Sequence, residues 1–261
     1  MIRSSLALAL VAVTALSAEA AVSFNQNVTN NVIYGGGNIN GAFTVDRANN
    51  VELGLRAKER YDLASDQPQN IFGSNGNGTY NQNAGEPAGF PSSNRARWNF
   101  DWSVNSDMSG SSGIVLNALT YKLSLDFDPG VGTNFQSFDP LHLACADHSF
   151  GNNSTIQGGG AKVSCPAGSA TYTTLLATSN LAQQSWNYDF FDSALFTFDP
   201  TVDGTYTIRL QAFGAQGASL ADTQIDVIVG RGAQVPEPGT LALLGISLGG
   251  LAVVRRKKQR A

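Results

Sequence analysis

Charged side chains are scarce in this chain. Asp, Glu, Lys and Arg make up 14% of it, against about a quarter in ordinary soluble domains, so a surface of charge-laced helices is not expected. Between the two ends no long segment repeats its apolar residues with the helical period. Histidine and cysteine occur twice each, too few for a four-ligand zinc site at workable spacing. No Gly-x-Ser-x-Gly elbow, His-Glu-x-x-His pair or phosphate-cradling glycine loop is present, which removes the common signatures of nucleophilic, metal-assisted and phosphoryl-transfer chemistry. The expectation is a non-enzymatic protein with no cofactor.

Basic residues are scarcest where a polyanion would need them. Arg3, Arg255, Arg256, Lys257, Lys258 and Arg260 belong to the ends of the chain. Residues 21–235 hold ten basic and eighteen acidic side chains, a balance of −8. Nucleic acid, which is bound by clustered Lys and Arg that displace counterions, is therefore not an expected partner.

What is abundant at the N-terminus is apolar. Arg3 precedes an uncharged run from Leu6 to Leu16, and Ala18-Glu19-Ala20 places small residues at both positions a signal peptidase reads. Eleven apolar residues are too few to span a hydrocarbon core of about 30 Å. Residues 1–20 therefore read as a secretory signal cleaved before Ala21, with the Sec machinery and signal peptidase as transient partners.

The C-terminus has three unlike parts in series. Pro236-Glu237-Pro238 breaks any incoming helix, residues 241–254 form an apolar helical run, and residues 255–260 carry Arg255, Arg256, Lys257, Lys258 and Arg260. Fourteen residues make a helix of about 21 Å, short for a bilayer. The basic tail would hold its own end in the cytoplasm and leave everything before Pro236 outside. This order resembles the PEP-CTERM sorting signal of Gram-negative bacteria over residues 235–261. The resemblance implies recognition of Pro236, Glu237 and Pro238 by an exosortase, an inner-membrane intermediate, and delivery to the cell surface, outer envelope or extracellular matrix. It also implies an association with exopolysaccharide and biofilm.

The segment between, residues 21–234, alternates apolar and polar residues with period two, the mark of strands with one buried face. Arg97 to Val104 puts Trp98, Phe100, Trp102 and Val104 on one side; Leu119 to Phe127 does likewise. Thr205 to Ala212 and Thr223 to Val229 read as an antiparallel pair. Gly41 to Asp46, Val51 to Lys58, Trp186 to Phe190 and Leu195 to Phe198 are weaker strand candidates. About eight strands, each with one wet face, predict an all-β antiparallel sandwich or jelly roll. The Gly- and Asn-rich stretch 64–96 reads as a mobile surface loop or, secondarily, a binding loop.

Four candidate constellations follow. Cys145 and Cys165, in an exported chain, are expected to form a disulfide that closes a loop of about 20 residues and adds about 3 kcal/mol. Phe-Asp-Pro recurs at 127–129, 138–140 and 198–200 and reads as strand-end punctuation. The sharper alternative is calcium on Asp126, Asp128, Asp199 and Asp203. Trp98, Trp102 and Trp186 are expected in the core rather than on a sugar-stacking face. The function expected is structural or adhesive in a polysaccharide matrix. The alternatives are a glycan-active hydrolase, which needs paired carboxylates in a cleft, and a calcium-dependent binding module.

Overall fold

The computed structural model describes residues 21–33, 38–90, 94–142, 148–163 and 169–233. The expected signal helix, the sorting segment with its apolar helix, and both cysteines lie outside these residues. Within them the chain forms thirteen strands: β1 (Ser23–Gln26), β2 (Phe43–Ala48), β3 (Val51–Tyr61), β4 (Pro68–Ile71), β5 (Thr79–Gln82), β6 (Trp98–Asn105), β7 (Thr120–Asp126), β8 (Phe135–Phe138), β9 (His148–Gly151), β10 (Ala161–Val163), β11 (Leu181–Asn187), β12 (Gly204–Phe213) and β13 (Ser219–Val229). One helix of nine residues, α1 (Ala170–Thr178), lies between β10 and β11. No helix among the described residues is long and apolar enough to cross a membrane.

The strands form two sheets packed face to face. One has the order β1-β2-β3-β6-β11-β9-β10 with β4 also on β3; the other has the order β5-β13-β12-β7-β8. Every pairing is antiparallel except that of β5 with β13. The expected pair of late strands is present with Tyr206 opposite Val227 and Ile208 opposite Ile225. Period two aims Trp98, Phe100, Trp102 and Val104 from β6 and Leu123, Leu125, Ile208, Leu210, Ile225 and Val227 from the other sheet into one core. The three tryptophans are at most 1% exposed, so they offer no stacking face to a sugar. Trp98 meets Tyr188, Phe198 and Tyr206 at ring-centroid distances of 5.1, 6.3 and 5.9 Å, within the range of favourable aromatic pairs.

The structure departs from expectation at four places. The centre of the larger sheet has no wet face, although β1, β4 and β10 are largely exposed: all eight residues of β6 are buried, and Glu52, Arg56, Lys58, Asp101, Ser103 and Gln183 are at most 1% exposed. Residues 27–33 and 38–42 lie over that face, and its polar side chains satisfy their backbone. Gln183 Oε1 accepts from the N–H of Val32 and Ile33 at 2.7 and 3.1 Å, and Glu52 Oε1 accepts from that of Thr29 at 2.7 Å. A buried loop needs such partners, since each unpaired N–H costs about a hydrogen bond. Gly54 permits the approach, because a Cβ there would stand 2.7 Å from a methyl of Val28.

Second, stretch 64–96 is not a mobile loop throughout. It contains β4 and β5, and Tyr80 of β5 is fully buried with its hydroxyl donating to the Ala42 carbonyl at 2.6 Å. Third, Leu195 to Phe198 is not a strand: Ser193 and Phe196 close a turn on each other, and Leu195 is 82% exposed. Fourth, the strand expected at Trp186 to Phe190 ends at Asn187 and gives way to a 3-10 turn, Tyr188–Phe191, whose entry Asn187 caps by accepting from Asp189.

Candidate functional site, a polar groove beside the smaller sheet

The outer face of the five-stranded sheet is the polar half of the same alternation. Thr205, Thr207, Arg209 and Gln211 on β12 lie beside Asp222, Gln224, Asp226 and Ile228 on β13, none of them fully buried. At one margin of this face Val22, Phe24, Asn77, Gly78, Thr79, Arg209, Asp222, Gln224, Ile225 and Asp226 line a groove of about 490 Å³. Three parts of the chain build it: the N-terminal strand β1, the turn before β5, and β12 with β13.

Backbone geometry fixes the floor. Gly78 adopts φ +88°, a conformation open to glycine, and an added Cβ would stand 3.1 Å from the Phe24 ring. The Gly78 carbonyl accepts from the Asp226 N–H at 3.0 Å, tying the turn to β13. Phe24 stays 38% exposed, an apolar plane at the groove's edge.

Planar polar groups form the wall. Asp222 accepts from Arg209 Nε at 2.9 Å and also from its Nη2, and Gln211 Nε2 donates to it at 3.0 Å. The Asp222 carboxylate raises the affinity of Arg209 for its proton, so the guanidinium is charged throughout the biological range. Thr207 Oγ1 donates to Asp226 at 2.8 Å. Gln224 is exposed and its amide has no hydrogen-bond partner among the described residues, which leaves one acceptor and two donors for a ligand. Aromatic plane, carboxylates, carboxamides and a guanidinium together match a polyol, whose vicinal hydroxyls pair with planar groups and whose C–H face packs on a ring.

The residues singled out in the sequence are elsewhere. Asp126 Oδ1 accepts from the N–H of Asp128 and Asn134 at 3.0 and 2.6 Å; Asp128 Oδ1 accepts from that of Gly130 at 2.8 Å. Asp199 accepts from Thr201 N–H at 2.9 Å, and Asp203 pairs with Arg231 at 2.6 Å. These four carboxylates brace turns, and no group of three or more His, Cys, Asp or Glu suited to a metal occurs among the described residues. Two of the three Phe-Asp-Pro segments stand at strand ends, after β7 and at the end of β8, whereas Phe198-Asp199-Pro200 lies in the turn region before β12; Asp139 accepts from the N–H of Tyr121, Leu141 and His142. His148 is buried between the Pro140 carbonyl at 2.8 Å and the Tyr172 hydroxyl at 3.3 Å, whereas His142 pairs with Asp139 at 3.0 Å.

A second cleft, of about 340 Å³, is lined by Asp107, Asn152, Asn153, Ser154, Thr178 and Asn180 among others. Its polar groups bond one another: Asn153 Oδ1 accepts from Asn105 and Asn180 at 2.8 and 2.9 Å, and Asp107 accepts from Asn50, Ser109 and Gly113. Those bonds hold the Asp107 carboxyl at about 2 against the opposing effect of burial. It is a loop clasp with its hydrogen bonds already committed.

Residues 234–258 match the family described as the PEP-CTERM protein-sorting motif, and no other segment has a family match. No curated protein and no solved structure matches the chain. The motif implies an exported, exosortase-sorted surface protein that reaches the cell surface by way of the membrane.

Proposed function

We propose that this exported protein is a non-enzymatic component of the extracellular matrix or envelope and contacts polysaccharide through the groove lined by Phe24, Arg209, Asp222, Gln224 and Asp226. The observation that carries the reading is the groove's composition: one exposed aromatic ring beside planar polar groups, with the Gln224 amide uncommitted. The sorting motif supplies the setting, since it implies delivery to the cell surface and the resemblance implies an association with exopolysaccharide. Both carboxylates of the groove sit on one strand, β13, and are held by Arg209 and Thr207. That arrangement favours binding over the opposed acid and base of a glycosidase.

The mature protein on a glycan array, with and without calcium, tests this. Binding to a defined class of acidic or neutral glycan that Phe24→Ala and Gln224→Ala each weaken about tenfold is expected, a loss of about 1.4 kcal/mol. Equal signals from both variants and the parent would reject the groove. Release of reducing ends would reject the non-enzymatic reading.

Cys145 and Cys165 lie outside the described residues; in an exported protein a disulfide between them is the expected state, and the described residues beside them in sequence, His148 and Val163, are paired across β9 and β10. Thiol alkylation that requires prior reduction is the expected result.

A further inference from the structure

The polar face of the larger sheet holds a constellation that neither the sorting motif nor the groove uses. Lys58 is 1% exposed and Asp101 fully buried. The Lys58 Nζ donates to Asn38 Oδ1 and stands 3.2 Å from Asp101 Oδ1. Arg56, buried on the same strand, donates from Nε to the other Asp101 oxygen at 2.7 Å. Its guanidinium lies between the rings of Phe43 and Phe72, 4.1 and 4.2 Å from their centroids. One buried carboxylate is thus shared by two cations, with a carboxamide against the second.

Asn38 is held in place. Its carbonyl accepts from Asn31 Nδ2 at 2.6 Å and from Gln157 Nε2 at 3.3 Å. Arg56 Nη1 donates to the Ile39 and Gly41 carbonyls at 2.8 and 2.7 Å, fixing the backbone just beyond. The amide carbon of Asn38 is one bond from the oxygen that Lys58 touches, so amine and electrophile are held next to each other, the proximity from which an intramolecular acyl transfer gains.

We propose that Lys58 and Asn38 join in an intramolecular isopeptide bond, with Asp101 carrying the proton. The Lys58 ammonium passes a proton to the Asp101 carboxylate, and the freed Nζ attacks Asn38 Cγ. A C–N bond to Lys58 forms, Nζ loses its second proton, and Asp101 relays both protons to the departing nitrogen as the bond from Cγ to Nδ2 breaks, so that ammonia leaves as ammonium and Asp101 is again a carboxylate. Amine plus primary carboxamide becomes secondary amide plus ammonia; nothing is oxidised or reduced.

Burial of Lys58 favours the first step, and the ionised Asp101 is the base that stands beside it. Burial lowers the affinity of Lys58 for its proton, while Asp101 stays ionised because Lys58 and Arg56 outweigh its own burial. Arg56 cannot give up its proton, so Lys58 is the cation that yields. The product would staple residues 38–42 to the sheet they cover, closing a chain segment that otherwise relies on hydrogen bonds. It would serve a protein exposed outside the cell.

Peptide mapping of the exported full-length protein decides. A branched peptide joining the segments that contain Asn38 and Lys58, lighter than their sum by one ammonia, is expected. Recovery of both segments unlinked overturns the proposal, and a branch lighter by one water that joins Lys58 to Asp101 overturns the choice of Asn38. Asn38→Asp should form the same branch with loss of water, whereas Lys58→Arg, which keeps the cation, should form none; a branch in the latter would place the link on another residue. Asp101→Asn, verified as folded by its near-ultraviolet tryptophan spectrum, should slow formation about a hundredfold or more; an unchanged rate would remove Asp101 from the mechanism.

Discussion

Single residues carry most of the stability that can be assigned. Trp102 is fully buried and meets Trp186 and His148 at 5.2 and 5.4 Å. Its indole N–H has no partner among the described residues, so its contribution is packing. Trp102→Ala should cost about 3–5 kcal/mol, and Trp102→Phe much less, because no hydrogen bond is lost; equilibrium denaturation of both variants measures this. His142 offers a test by pH. Hydrogen bonding to Asp139 raises its affinity for a proton above the usual 6.5. A group whose folded value is raised stabilises the fold fully below the unfolded value and ceases to do so as the pH rises through the folded one. The depressed Asp139 carboxyl acts in the opposite sense, losing its contribution as the pH falls below 3.8. Melting temperature should therefore decline from pH 6.5 upward in the parent and not in His142→Gln, and a proton resonance of His142 titrating at or below 6.5 would contradict the assignment.

At the scale of elements, the sequence reveals what period two reveals and little more. Alternation placed Trp98, Phe100, Trp102 and Val104 on one side of β6, and the core holds them there. It also marked Asn99, Asp101 and Ser103 as polar, but polarity does not tell water from a covering loop, and these residues are buried under one. β5 reads Thr79-Tyr80-Asn81-Gln82, four residues with a single apolar side chain, and it becomes a strand through parallel pairing with β13. α1 is similarly hidden: four threonines in nine residues weaken its intrinsic propensity, and Ser169 caps it by accepting from Tyr172 N–H. The groove was illegible because Phe24 and Arg209 meet only through the fold. Hydrogen exchange distinguishes an ordered β5 from a mobile loop. The amides of Asn81 and Gly230, bonded to the Gly73 and Gln82 carbonyls at 2.9 Å, should exchange as slowly as those in the middle of β12, and exchange at the free-peptide rate would refute the assignment.

For the whole molecule, destination and architecture come from different segments. The C-terminal end carries the sorting motif, and its order of Pro-Glu-Pro, apolar run and basic tail was readable because each part is defined by local sequence alone. The middle carries a two-sheet sandwich with one covered polar face and one open polar face, a division that period two cannot predict. Its acidic balance of −8 over residues 21–235 disfavours contact with polyanions. The claim on which the rest depends is that the tail is a processed address. Mass spectrometry of the protein isolated from the surface of an exosortase-bearing host tests it most directly. A mature C-terminus lying upstream of the apolar run 241–254, at or near Pro236-Glu237-Pro238, is predicted; a surface protein that still ends at Ala261 would contradict the account.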